Sequence, residues 1–147
     1  MVKKLNAIVL GATGAAGQNV VESLGDHPWF KITAIAASSK SAGKSYYKAI
    51  EDAVFFEKNP GPEILGMQIL NVEKVSGKDY DIAFSALPAE VAKTVEGKFA
   101  KYIPVFSTAS AYRNESDVPV LIPDVNPKHA KLIKIQQKKR KWEGFIC

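Results

Sequence analysis

Short apolar runs alternate along this chain with segments whose apolar positions recur every three or four residues. Leu5 to Leu10 is an unbroken apolar run apart from Asn6, closed by Gly11. That pattern suits a strand buried on both faces of a parallel sheet. From Gly14 to Leu24 the period changes: Val20, Val21 and Leu24 share one helical face, and Gly25 supplies a stop. Lys31 to Ala37 is a second strand, rich in β-branched and small apolar residues. Ser38 to Lys48 is polar and loop-like, although Tyr46 and Tyr47 are large enough to pack. Val54 to Phe56 and Met67 to Val72 are candidate strands on either side of the turn Asn59-Pro60-Gly61-Pro62. Asp81 to Ala86 is a further strand, turned by Leu87-Pro88 into a helix from Ala89 to about Tyr102. Ile103 to Ser107 is the next strand, and Ser110 to Pro119 is an irregular loop. Asn126-Pro127 opens a helix, with Asn as its cap and Pro in its first turn, that runs to about Lys141. Phe145-Ile146-Cys147 starts another buried strand.

Repeated strand–helix alternation predicts the α/β class: a Rossmann-type, doubly wound parallel sheet with right-handed crossovers. The 147 residues form one NAD(P)-binding domain, 1–147, with a core of ordinary size. Because the last predicted strand is only begun, the sequence is expected to be truncated before a catalytic and dimerisation domain. A hydrophobic content of 46% with 24% charged residues is that of a soluble globular protein. No apolar run nears the roughly 20 residues that span a bilayer. The run after Met1-Val2-Lys3-Lys4 is too short for a signal peptide. The expected location is cytoplasmic, with no membrane partner. One cysteine, Cys147, excludes an internal disulfide framework and a cysteine-rich zinc site. The net charge of +5 gathers partly in Lys138-Lys139-Arg140-Lys141. No aromatic residue interleaves that run, so it is read as a solvated helix end favoured by the helix dipole, not as a nucleic-acid surface.

The chemistry begins at the turn Gly11-Ala12-Thr13-Gly14-Ala15-Ala16-Gly17, which links the first strand to the first helix. Its G-x-x-G-x-x-G spacing is a variant of the dinucleotide fingerprint. Gly11 permits the tight turn, Gly14 lets backbone amides approach a pyrophosphate, and Gly17 lets the helix lie close to the sheet. The helix N-terminus then offers unpaired N–H groups to phosphate. The end of the second strand carries an absence. NAD-binding units place a carboxylate there for the ribose 2′-hydroxyl, but Ala36-Ala37-Ser38-Ser39-Lys40 has none, nor does any position from Lys31 to Ile50. Two hydroxyls and a cation suit a 2′-phosphate, so NADP is preferred over NAD. Phe84-Ser85-Ala86-Leu87-Pro88 lies at the C-terminal end of a central strand, where open sheets bind ligands and small residues would admit a nicotinamide. Arg113 follows a strand on the same side and could hold a phosphate or carboxylate through two hydrogen bonds.

With these stretches assembled, the chain resembles the N-terminal region of aspartate-semialdehyde dehydrogenase, particularly its archaeal and fungal branch. The resemblance rests on Gly11 to Gln18, Ala37 to Lys44, Phe84 to Pro88, Ala109 to Arg113 and Ile122 to Pro127, which occur in family order. The related malonyl-CoA reductases are similar over the same region. The resemblance implies that Thr13, Gly14, Ala15 and Ala16 contact the cofactor pyrophosphate, and that Ser38, Ser39 and Lys40 surround the 2′-phosphate. Ser85, Ala86, Leu87 and Pro88 would lie along the nicotinamide ribose. Arg113 would bind the phosphate of an acyl-phosphate substrate or inorganic phosphate. In such enzymes a cysteine thiolate attacks the aldehyde, the adduct gives hydride to NADP, and a histidine of the second domain acts as acid and base. The intact enzymes are homo-oligomers through that second domain.

Thr108 stands where many members carry Asn. The resemblance places the family's catalytic cysteine in a Pro-Asn-Cys turn a few residues beyond the Gly-Phe-Ile strand, so Cys147 is read as a strand residue or an effect of where the sequence stops, and not as the nucleophile. His27, before Pro28, and His129, in the first turns of a helix, are read as surface residues. No catalytic residue is therefore assigned, and the chain alone is expected to be inactive. A short-chain dehydrogenase is discounted because no tyrosine has Lys four residues on. A non-catalytic NADP-binding or sensor domain shares every cofactor feature. A basic nucleic-acid-binding protein would leave the glycine turn unexplained.

Overall fold

The computed structural model describes residues 3–147; Met1 and Val2, which precede the run too short for a signal peptide, lie outside the described residues. Six strands form one sheet: β1 (Leu5–Leu10), β2 (Phe30–Ala37), β3 (Leu70–Asn71), β4 (Ile82–Ser85), β5 (Pro104–Ser107) and β6 (Phe145–Ile146). Their order is β3-β2-β1-β4-β5-β6, and every neighbouring pair is parallel. This is the doubly wound arrangement expected, with its change of direction between β1 and β4. The helices are α1 (Ala15–Leu24), α2 (Tyr46–Ile50), α3 (Pro62–Leu65), α4 (Ala89–Ala100) and α5 (Leu132–Arg140).

Alternation along the strands divides the core between the two faces of the sheet. Ile8, Leu10, Ala83 and Val105 pack with Ala92, Val95 and Phe99 of α4. Val9, Ile35 and Ala37 pack with Val21 and Leu24 of α1 and with Tyr46 and Ile50 of α2. β1 is covered on both faces, and Ala7 to Leu10 are fully buried, which explains its continuous apolar run.

Several boundaries differ from the sequence reading. Val54 to Phe56 form no strand. The position beside β2 is taken by β3, and the 53–56 segment instead crosses α1 in irregular conformation. Buried Gln18 holds it there, donating to the Ala53 carbonyl (2.8 Å) and accepting from the Phe55 amide (2.8 Å). Of the Met67–Val72 stretch only Leu70–Asn71 pair with β2, while Gln68 makes an antiparallel bridge to Ser45. The Ser38–Lys48 loop ends early, because α2 begins at Tyr46 with the Ser45 hydroxyl accepting from the Lys48 amide. Tyr46 is buried, whereas Tyr47 is 60% exposed. Asn126 does not cap its helix. Its side chain accepts from the Ile122 amide (2.6 Å) and donates to the Val120 carbonyl (2.8 Å), closing its own turn. The predicted helix after it starts as a 3-10 segment, Pro127–Lys131, and becomes α-helical only at Leu132. The basic run is also not uniformly solvated: Lys138 and Lys139 are exposed, but Arg140 is drawn inward by an ion pair. Among the described residues, no helix is long and apolar enough to cross a membrane.

Candidate functional site

At the β1–α1 turn the three glycines meet different constraints. Gly11 has φ +79°, and a Cβ there would stand 2.7 Å from the Ala86 carbonyl oxygen. A Cβ on Gly17 would overlap the Gly11 carbonyl. Both positions are therefore closed to side chains by the fold itself. Gly14 is different. Its backbone is extended (φ −77°, ψ 165°), as any residue permits, and a Cβ would meet only the Gly11 carbonyl oxygen at 3.9 Å. The space beside Gly14 is open and solvent-facing. No hydrogen-bond acceptor satisfies the amides of Thr13, Ala15, Ala16 or Gly17 among the described residues. A cradle of unpaired N–H groups with room above it fits a pyrophosphate. Two side chains fix the turn from below. The Tyr46 hydroxyl donates to the Ala12 carbonyl (2.8 Å), and Gln18 donates to the Thr13 carbonyl (3.1 Å). Burial holds the Tyr46 phenol neutral, well above its ordinary pKa.

Ser38, Ser39 and Lys40 follow directly on β2, next to that turn, and all three are exposed. The Ser38 carbonyl accepts from the amides of Ser41 and Ala42, which folds the loop back on itself. Ser85 ends β4 beside Leu10 of β1, and the Ala86 amide donates to the Leu10 carbonyl (2.9 Å). Leu87 turns its side chain into the core beside α4, leaving Pro88 exposed.

Arg113 lies with Ser85, Ser107, Thr108 and Cys147 around a cavity of about 350 Å³ above the ends of β4, β5 and β6. Its guanidinium is exposed and forms no ion pair among the described residues. The structure thus gathers the candidate residues at the C-terminal ends of the strands but in two groups. The glycine turn and Ser38–Lys40 lie on one side of the β1–β4 boundary, and Arg113 lies on the other, with Ser85 between them. Cys147 is half-buried in the wall of the Arg113 cavity. Burial pushes its thiol up, against an opposing Leu121 amide. Neither histidine lines this cavity: His27 accepts from the Trp29 amide at the start of β2, and His129 lies beside the Val120 carbonyl.

Three features of the Arg113 side have no counterpart in the sequence reading. Glu96 of α4 is buried beneath the ends of β4 and β5, and its Oε1 accepts from the hydroxyls of Ser85 (2.7 Å) and Ser107 (2.5 Å). Burial raises its carboxyl above the usual range, opposed by these two hydrogen bonds. Asp117, also buried, receives Arg140 through Nε (2.5 Å) and Nη2 (2.8 Å), and Lys139 at 3.3 Å. The Arg140 hydrogen bond holds that carboxyl well below the ordinary carboxylate range. Arg140 in turn lies over the rings of Tyr112 (5.5 Å) and Trp142 (5.1 Å). Together these contacts clamp the loop after β5, which carries Arg113, onto α5. Pairs 11 and 23 residues apart leave no local signal in a sequence.

Residues 6–133 match the family model described as semialdehyde dehydrogenase, NAD binding domain. The chain is 48% identical over 143 residues to an aspartate-semialdehyde dehydrogenase of Methanothermobacter thermautotrophicus, covering 97% of this chain and 40% of that protein. It is 38% identical over 147 residues to a malonyl CoA reductase (NADP) of Metallosphaera sedula, covering 99% and 40%. The crystal structure of aspartate semialdehyde dehydrogenase with NADP from Candida albicans superposes with a TM-score of 0.83 at 32% identity, covering 98% of this chain and 42% of that one. The chain therefore spans about 40% of the length of the curated relatives it matches.

Proposed function

The chain belongs to the semialdehyde dehydrogenase NAD-binding domain family, and from that premise we propose that it is the NADP-binding part of an aspartate-semialdehyde dehydrogenase. The reaction would be reductive dephosphorylation of L-aspartyl 4-phosphate to L-aspartate 4-semialdehyde, in cytoplasmic amino-acid biosynthesis, by a homo-oligomer in its full-length form. One observation carries the reading. The β1–α1 turn excludes side chains for its own sake at Gly11 and Gly17, but at Gly14 only the space for a ligand is left unused. Unpaired amides surround that space.

Each residue has a role in this proposal. The amides of Thr13, Ala15 and Ala16 bind the pyrophosphate against the helix dipole, with Gly14 leaving the approach clear. Ser38, Ser39 and Lys40 receive the 2′-phosphate, in a segment free of carboxylates. Ser85, Ala86 and Pro88 border the nicotinamide ribose, with Leu87 contributing only its backbone. Arg113 holds the substrate phosphate, as a planar guanidinium with no competing carboxylate suits. The bound cofactor supplies the hydride.

Calorimetric titration with NADP and with NAD tests the cofactor assignment. The expected result is NADP binding at least about tenfold tighter than NAD, or about 1.4 kcal/mol. Equal affinities would overturn the preference for NADP, and a folded chain binding neither would overturn the nucleotide reading. We also propose that the chain alone is inactive, because its one cysteine is half-buried with a raised pKa and neither histidine shares its cavity. NADP reduction by the purified chain with aspartate semialdehyde and phosphate would refute that.

A further inference from the structure

Glu96 is a buried acid with an unusual set of neighbours. Both hydrogen bonds it accepts fall on one oxygen, from Ser85 at the end of β4 and Ser107 at the end of β5. The other oxygen, Oε2, is buried without a partner among the described residues. No cation faces it. Lys93, one turn earlier on α4, turns its ammonium to Glu115, and Arg140 is engaged by Asp117 and Glu115. The nearby Tyr112 hydroxyl donates instead to the Lys93 carbonyl.

A buried carboxyl with no cation is costly, and an orphaned polar atom adds to that cost. For packing alone, an apolar side chain would serve α4 better. What the carboxyl does supply is one fixed acceptor for two hydroxyls on adjacent strands. Ser107 passes the constraint on, because its oxygen also accepts from the Ala109 amide (3.0 Å) at the root of the Arg113 loop. The Thr108 amide and hydroxyl both bond the Ser85 carbonyl, which ties the loop back to β4. Two routes therefore join Ser85 to the Arg113 loop: main chain to Thr108, and side chain to side chain through Glu96 and Ser107. The Ser38–Lys40 segment shares neither. That loop is held by its own turns and by the Gly43 amide on the Ile69 carbonyl (2.9 Å).

We propose that Glu96 is a positioning residue that sets the Ser85 end of β4 and the Arg113 loop in one geometry, so that the nicotinamide side of the cofactor site depends on it and the adenosine side does not. This rests on the NADP reading given above.

The test is to titrate the 147-residue chain with NADP and with adenosine 2′,5′-bisphosphate, which carries the adenosine half and 2′-phosphate but no nicotinamide. Glu96→Ala should weaken NADP binding about tenfold and leave the bisphosphate within about twofold. Glu96→Gln keeps a carbonyl acceptor for the two hydroxyls and should hold NADP within about threefold of the unaltered chain. Ser107→Ala removes the Glu96–Ser107–Ala109 link and leaves the Ser85–Glu96 and Thr108–Ser85 bonds in place. It should show the same selective loss at about threefold, and it decides the matter if Glu96→Ala fails to fold. Equal weakening of both ligands would mean a purely structural role, and no weakening of either would mean no role; each overturns the inference while NADP binding itself stands. A glutamine variant as weak as the alanine one also overturns it, since the acceptor would then not be what matters. If the unaltered chain binds neither ligand, the cofactor reading falls and this inference with it.

Discussion

After β1 the chain is shaped by backbone against backbone; after β5 it is shaped by buried side chains. At the first turn Gly11 and Gly17 bring main chain so close to main chain that no Cβ fits. Polar side chains, Tyr46 and Gln18, only steady what the glycines allow. At the loop after β5 there is no glycine between Ser107 and Pro119. Glu96, Asp117 and Arg140 hold it instead. Backbone contact gives a rigid cradle suited to a ligand part that hardly varies, a pyrophosphate. A clamp of side chains depends on paired groups, so that a change in one partner leaves the other buried and unsatisfied.

The comparison breaks most decisively at Gly17. Gly17→Ala should prevent stable folding or remove at least about 3 kcal/mol, because backbone and not a flexible side chain would have to move. Urea denaturation measures this, and a near-native midpoint would show that the turn is more pliable than its geometry. Next comes Arg140→Met, which leaves Asp117 buried without its main partner and should cost about 3 kcal/mol at neutral pH. The sign of the pH dependence follows from Asp117, whose folded pKa is depressed by Arg140. The stability it contributes is present above the unfolded value of about 3.9 and is lost as pH falls towards the folded one. Arg140→Met should therefore flatten the acid limb of the stability–pH profile; an unchanged limb would assign acid sensitivity elsewhere. Gly14→Ala separates binding from folding. Stability should shift by less than about 0.5 kcal/mol, since the new Cβ meets open space, while NADP affinity falls about tenfold. A stability loss like that of Gly17 would erase the distinction between the glycines. The smallest effect belongs to Lys40→Ala, which should reduce NADP affinity about threefold and leave NAD affinity unchanged, as an exposed cation on a phosphate contributes modestly.

What could be read from the sequence divides along the same line. The glycine turn was visible because its cause is local: three glycines at fixed spacing after an apolar run. The strands of the parallel sheet were visible because burial on both faces writes a continuous apolar string. The clamp was invisible because Glu96 meets Ser85 and Ser107, and Asp117 meets Arg140, only after the sheet has formed. In the sequence Arg140 looks like one more cation in a basic run. Val54 to Phe56 depart from the expected strand for a related reason. Their apolar character fits a strand, but they serve to cross α1, and the residue that decides this, Gln18, lies 37 positions from Phe55. Asn126-Pro127 carries the signature of a helix start, yet the asparagine is spent on closing its own turn with Val120 and Ile122.

The chain has two tryptophans, and they sit in opposite circumstances. Trp29 is 65% exposed at the start of β2, far along the sheet from the strand ends. Trp142 is half-buried with the Arg140 guanidinium over its ring. Fluorescence thus comes with its own optical reporter and internal reference. Replacing Trp29 with Phe would leave a single tryptophan, and under selective tryptophan excitation its emission would report on the Arg140 contact without attaching a dye.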